Sequence, residues 1–73
     1  MDHNTLKRAI YLNIRVQPRT PDWLYRTCCL GKNQVRRAMH QSLSELIASG
    51  MIIYWMNRGV YTITKKGMEE GAP

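Results

Sequence analysis

The sequence predicts a small α+β domain in which three helices precede a two-stranded β-hairpin. Two observations carry that expectation. Apolar residues recur at helical spacing in three stretches before Gly50, and β-branched and aromatic residues take over beyond it, on either side of Asn57-Arg58-Gly59. Length is a third, since 73 residues suffice for one domain over residues 1–73 and leave no room for a second.

The first helix is expected over Asn4 to Val16, where Leu6, Ala9, Ile10 and Asn13 or Ile14 follow one stripe. Asp2 or Asn4 is placed to cap its start. Leu12 and Val16 lie off the stripe, and either widen the buried face or serve a second contact such as a partner subunit. Proline drives the residue before it out of the helical region, so this helix ends ahead of Gln17-Pro18. Thr20-Pro21 then reads as an N-cap followed by proline at the first helical position. The second helix is short, with Leu24 and Cys28 on one side and Asp22 in the first turn, favourably set against the helix dipole.

After Cys29-Leu30-Gly31 a third helix runs to Ser49, with Val35, Met39, Ser42, Leu43 and Leu46 on one face and Gly50 available to stop it. Ser42-Leu43-Ser44-Glu45 has the form of a capping box, which would split the stretch, but the unbroken periodicity favours one continuous helix. Strand formers Ile52 to Trp55 and Val60 to Ile63 make the hairpin. Its three-residue loop Asn57-Arg58-Gly59 suits a type I turn closing on a left-handed glycine. The tail from Lys65 reads as frayed from about residue 67.

Charge narrows the partners. Eleven Lys and Arg against five Asp and Glu leave +6, which suggests a polyanion: nucleic acid first, a membrane surface second. Residues 1–41 hold eight of the basic side chains with only Asp2 and Asp22 against them, whereas residues 42–73 balance at three against three. The apolar run Met51 to Met56 is too short for a membrane span or a signal-peptide core, so a cytoplasmic protein is expected. Cys28 and Cys29 are sequence neighbours, which rarely reach disulfide geometry, and no His or further Cys stands at metal-ligand spacing. No metal or cofactor is expected; Cys28 is assigned to the core and Cys29 is left open. Enzymatic function is not expected either, because the sequence offers no Ser-His-Asp set, no glycine-rich phosphate loop, no metal cluster and no close carboxylate pair in a concave body.

The order of elements, with a short second helix joined by a tight turn to the third, resembles the winged helix-turn-helix family of DNA-binding domains. Three pieces carry the resemblance. The spacing Leu24, Cys28, Leu30, Val35 is similar to the family's helix-turn-helix run, with Leu30 at the turn's apolar plug. Leu46-Ile47-Ala48-Ser49-Gly50-Met51-Ile52 resembles the passage from recognition helix to wing, and Val60-Tyr61-Thr62-Ile63-Thr64-Lys65-Lys66-Gly67 resembles the closing strand. Cys29 stands where many members place glycine, and the stretch from Val35 to Gly50 is longer than in the commonest members. The resemblance implies a small transcriptional regulator of the kind carried by phages and mobile elements. It also admits an architectural DNA-binding role, such as a recombination directionality factor, or a protein-interaction module.

With Val35, Met39 and Leu46 inward, the opposite face of the third helix carries Asn33, Arg37, His40, Gln41 and Ser44, flanked by Gln34 and Arg36. Arg pairs with guanine and Asn or Gln with adenine in the major groove, so this face is chemically able to read bases. Lys32 and the first backbone N–H groups of the helix would meet phosphate, as would Arg19 and Thr20 at the start of the second helix. Arg58 at the hairpin tip is placed to enter a minor groove. Charged helix faces are common, and His40 is an ordinary surface histidine on that reading. It is the placement after a helix-turn-helix-like spacing, in a basic chain, that favours double-stranded DNA as the partner. Lys7, Arg8 and Arg15 read as solvated surface, and Trp23 and Trp55 as core or edge packing. Tyr54 and Trp55 point to opposite sheet faces, so one looks outward or into a neighbour, which makes a homodimer a further expectation.

Overall fold

A computed structural model describes residues 2–71. Helices α1 (His3–Val16), α2 (Pro21–Cys28) and α3 (Asn33–Ala48) are followed by strands β1 (Ile52–Trp55) and β2 (Val60–Ile63), then by a short helix α4 (Lys65–Glu70). Local chemistry sets the boundaries. Asp2 caps α1, its carboxylate accepting from the Thr5 N–H at 3.0 Å and the Thr5 hydroxyl at 2.9 Å. Gln17, extended ahead of Pro18, ends it. Thr20 caps α2 by accepting from the Trp23 N–H at 3.0 Å, with Pro21 in the first turn. Helix α3 passes unbroken through Ser42 to Glu45. The Glu45 side chain makes no capping box there because it is turned toward α1, where His3 and Lys7 hold it.

One core joins the elements. Leu6, Ile10, Tyr11 and Ile14 of α1 pack with Leu24 and Cys28 of α2, with Met39, Leu43 and Leu46 of α3, and with Met51 and Ile52 leading into β1. Cys29 joins them, which settles a thiol the sequence left open. Leu12 and Val16 remain exposed.

The hairpin is antiparallel, with Ile52 opposite Ile63, Ile53 opposite Thr62, Tyr54 opposite Tyr61 and Trp55 opposite Val60. Opposed residues share a face, so Ile52, Tyr54, Tyr61 and Ile63 lie on one face, where Ile52 is buried and Tyr54 stays exposed at 37%, and Ile53, Trp55, Val60 and Thr62 lie on the other. Trp55 is 44% exposed, and its indole N–H donates to Thr62 Oγ1 at 2.7 Å. The other edge of β2 is bound to the α1–α2 linker, where Arg19 and Tyr61 exchange backbone hydrogen bonds of 3.1 and 2.8 Å. That bridge fixes the hairpin against the helices.

Three sequence expectations require correction. The hairpin loop has four residues, Met56 to Gly59, because Trp55 pairs directly with Val60. The Trp55 carbonyl accepts from both Arg58 and Gly59, with Gly59 left-handed as expected. The tail does not fray at residue 67: Thr64 caps α4 by accepting from the Gly67 N–H, and the buried Tyr11 hydroxyl donates to the Gly67 carbonyl. Residues 72 and 73 of that tail lie outside the described residues. Finally, Leu30 is not the apolar plug of the turn. Two successive left-handed residues, Leu30 (φ 53°) and Gly31 (φ 70°), swing the leucine outward to 71% exposure, and Cys29, at 2%, fills the inward position beside Val35.

Candidate nucleic-acid interface

The turn after α2 sets the direction in which α3 leaves the core. The Tyr25 carbonyl accepts from the N–H groups of both Cys29 and Gly31, so α2 ends tightly and α3 begins two residues later. At 100° per residue, burying Met39, Ser42, Leu43 and Leu46 turns Asn33, Arg37, His40, Gln41 and Ser44 to solvent, and all five are exposed. Gln34 and Arg36, also exposed, flank that face.

The N-terminus of α3 differs from those of its neighbours. Asp2, Thr20 and Thr64 each cap their helix with a side-chain oxygen, whereas the α3 cap position is Lys32, whose side chain makes no capping bond. No acidic residue occupies the first turn of α3. A cation beside the positive end of a helix dipole is mildly unfavourable alone and becomes favourable once an anion sits between them.

The carboxylates nearest this face are paired with basic side chains. Glu45 accepts from His3 at 3.0 Å and lies 3.3 Å from the Lys7 ammonium, and Asp22 pairs with Arg26 at 3.2 Å. The His3 hydrogen bond, followed by that of Lys7, holds the Glu45 carboxyl below its ordinary range and therefore ionised. Its second oxygen accepts from Gln41 Nε2 at 3.3 Å, which fixes the amide and leaves the Gln41 carbonyl oxygen free to face outward.

The α2 flank is organised by Tyr25, which the sequence reading passed over. Its hydroxyl lies 2.7 Å from the Gly31 carbonyl oxygen and 2.8 Å from Asn33 Oδ1, and the Arg36 guanidinium stands over its ring at 5.4 Å. No spacing signal could have revealed it, since the contact spans a turn whose left-handed course is itself unusual. Below it, Pro21, Asp22, Tyr25, Arg36, Met39 and His40 line a groove of about 350 Å³ between α2 and α3.

The remaining sequence-selected residues are placed differently. Arg19 donates from Nε to the Asn13 carbonyl at 3.1 Å and stacks 3.8 Å over Trp23, so much of its guanidinium serves the joint between α1 and α2. Trp23, half-buried, packs against the core edge. The Thr20 hydroxyl is taken up by its capping bond. Arg58 is exposed at the hairpin tip, on a different element from the α3 set. The structure thus gathers Lys32, Asn33, Gln34, Arg36, Arg37, His40 and Gln41 along one helix, with Thr20 at the neighbouring helix start and Arg58 apart.

Among the described residues, no helix is long and apolar enough to cross a membrane. The helices and hairpin form a small α+β unit whose layout is compatible with a winged helix. In comparisons with known proteins, no family model, no curated protein and no solved structure matches the chain.

Proposed function

We propose that this chain is a winged helix-turn-helix protein that binds double-stranded DNA sequence-specifically, laying α3 in the major groove, and acts without catalysis or cofactor as a small cytoplasmic transcriptional regulator of the phage or mobile-element kind. The observation that carries the reading is the outward face of α3, where Asn33, Arg37, His40 and Gln41 stand exposed behind a helix start occupied by Lys32. Neutral or acidic faces would not serve a duplex that carries one phosphate charge per about 1.7 Å of axis. The width of the major groove accepts a single α-helix, and the four side chains offer both donors and acceptors for base edges.

Roles divide by chemistry. Arg37, at the middle of the exposed face, pairs bidentately with guanine, and Gln41 presents its free carbonyl oxygen to a base amino group. Lys32 and the first N–H groups of α3 bind phosphate and set register. Arg58 at the hairpin tip reaches the adjacent minor groove.

The test is selection from a random duplex pool at about 0.15 M salt, where long-range contacts are largely screened. A recurrent enriched motif supports the reading, and Arg37→Ala should then cost about 1–3 kcal/mol and relax preference at one base pair. A folded protein that enriches nothing overturns it.

A further inference from the structure

We propose that Tyr25 is a specificity-determining positioning residue, which holds the Asn33 amide at the start of α3 in the orientation that reads adenine. The inference rests on the DNA-binding reading above and assigns one base of the site it reads.

The argument begins with proton counting. Tyr25 Oη has one hydrogen and, as placed, two acceptors close to it, the Gly31 carbonyl oxygen at 2.7 Å and Asn33 Oδ1 at 2.8 Å. One proton cannot serve both, and of the two only Asn33 can exchange its acceptor for a donor. Turning the amide over, so that Nδ2 takes the place of Oδ1, lets the hydroxyl donate to Gly31 and accept from Asn33, and both contacts are then satisfied. An amide nitrogen has two hydrogens. Donating the one directed away from its own oxygen to Tyr25 leaves Oδ1 and the other hydrogen side by side on the outer edge. That edge is the pair adenine requires, with N6 donating to Oδ1 and N7 accepting from Nδ2.

Position adds to geometry. Asn33 is the first residue of α3, the end that reaches base edges when a recognition helix enters the groove by its N-terminus. An exposed asparagine otherwise rotates freely and spends entropy on binding, and an anchored one has that freedom removed beforehand. The anchor is itself braced, because the Tyr25 ring lies under Arg36 and its hydroxyl spans the left-handed turn to Gly31. The Tyr25 contact therefore couples the course of the turn to the reading residue that follows it.

The experiment compares selected motifs for the wild-type chain, Asn33→Ala and Tyr25→Phe. The phenylalanine keeps a ring under Arg36 and removes only the hydroxyl. Asn33→Ala should abolish preference at one adenine-containing pair, a loss of about 10-fold or more in discrimination. Tyr25→Phe should weaken discrimination at that same pair by roughly 3- to 10-fold and leave the pair read by Arg37 unchanged. A merely structural tyrosine would weaken all pairs alike, and that result overturns the proposal, as does an unchanged motif. Should the wild-type chain enrich no motif, the DNA-binding reading fails first and this one with it. A second measurement is independent of the variant's folding. In the free wild-type protein, one of the two Asn33 side-chain amide protons should exchange with water more slowly than those of the exposed Asn4. Equal, fast exchange of both overturns the anchor itself.

Discussion

Ser42 lies on the inward face its spacing predicted, yet it is polar: it sits in mid-α3, fully buried, and its hydroxyl has no hydrogen-bond partner among the described residues. A buried hydroxyl left unpaired costs about 1–3 kcal/mol, and alanine is also the better helix former. Ser42→Ala should therefore stabilise the protein by about 1 kcal/mol, seen as a thermal midpoint several degrees higher. A lower midpoint would reveal a partner such as a trapped water. Leu30 is strained in a different way. Its left-handed backbone costs an L-residue about 1–2 kcal/mol, and its side chain recovers little because it is exposed. Leu30→Gly should relieve that strain, and although glycine gains entropy in the unfolded chain, chemical denaturation should show a net gain of about 0.5 kcal/mol.

Helix α4 owes its place to a glycine. A Cβ on Gly67 would overlap the Met51 carbonyl oxygen and meet the Ile63 side chain at 2.7 Å, so only glycine allows α4 to lie this close to the base of the hairpin. Gly67→Ala should lower stability by about 1–3 kcal/mol, despite alanine's higher helix propensity, and a denaturation midpoint equal to that of the wild type would show that α4 shifts freely. The joint between α1 and α3 is electrostatic as well as apolar. His3 first, then Lys7, hold the Glu45 carboxyl below its ordinary range, so the folded chain binds that proton less readily than the unfolded chain does. The resulting stability is complete above the usual glutamate range and is lost as pH falls through the lower folded value. The difference in melting midpoint between wild type and Glu45→Gln should accordingly be largest near neutrality and shrink below about pH 4. A difference that stays constant across that range would dissociate Glu45 from the acid limb.

For the molecule as a whole, the net charge of +6 becomes useful only through its distribution. Glu45 and Asp22 are paired with neighbouring bases and Asp2 is turned to its cap, so the exposed α3 face is left basic. On the DNA-binding proposal, affinity should fall steeply with salt, and Lys32→Ala should weaken all sequences alike while shrinking the log–log salt slope by about one unit. An unchanged slope would remove Lys32 from the phosphate contacts.

Periodicity alone marked out three helices and the hairpin, because the alternation of buried and exposed positions is written directly into residue order. The inward set Val35, Met39, Leu43 and Leu46, and with it the outward set Asn33 to Ser44, followed from the same rule. The cap at Thr20, and the choice between Asp2 and Asn4 for α1, were legible for a similar reason, a cap being a contact between residues three apart. What depended on distant partners was not legible. The tail became α4 because Tyr11 and Met51, far away in sequence, offer it a seat. Leu30 lost its expected place as the plug to Cys29, which the sequence left open, because the handedness of a turn is settled by the two helices it must join. Arg19 was drawn into the joint between α1 and α2 by Trp23 and the Asn13 carbonyl. Tyr25 acquired its importance only when the turn carried Gly31 and Asn33 back to its hydroxyl. Sequence by itself determined which faces are apolar and which are basic, since that is a property of spacing; the tertiary structure decided which polar side chains remain free, since a hydrogen-bond partner is a matter of distance in space.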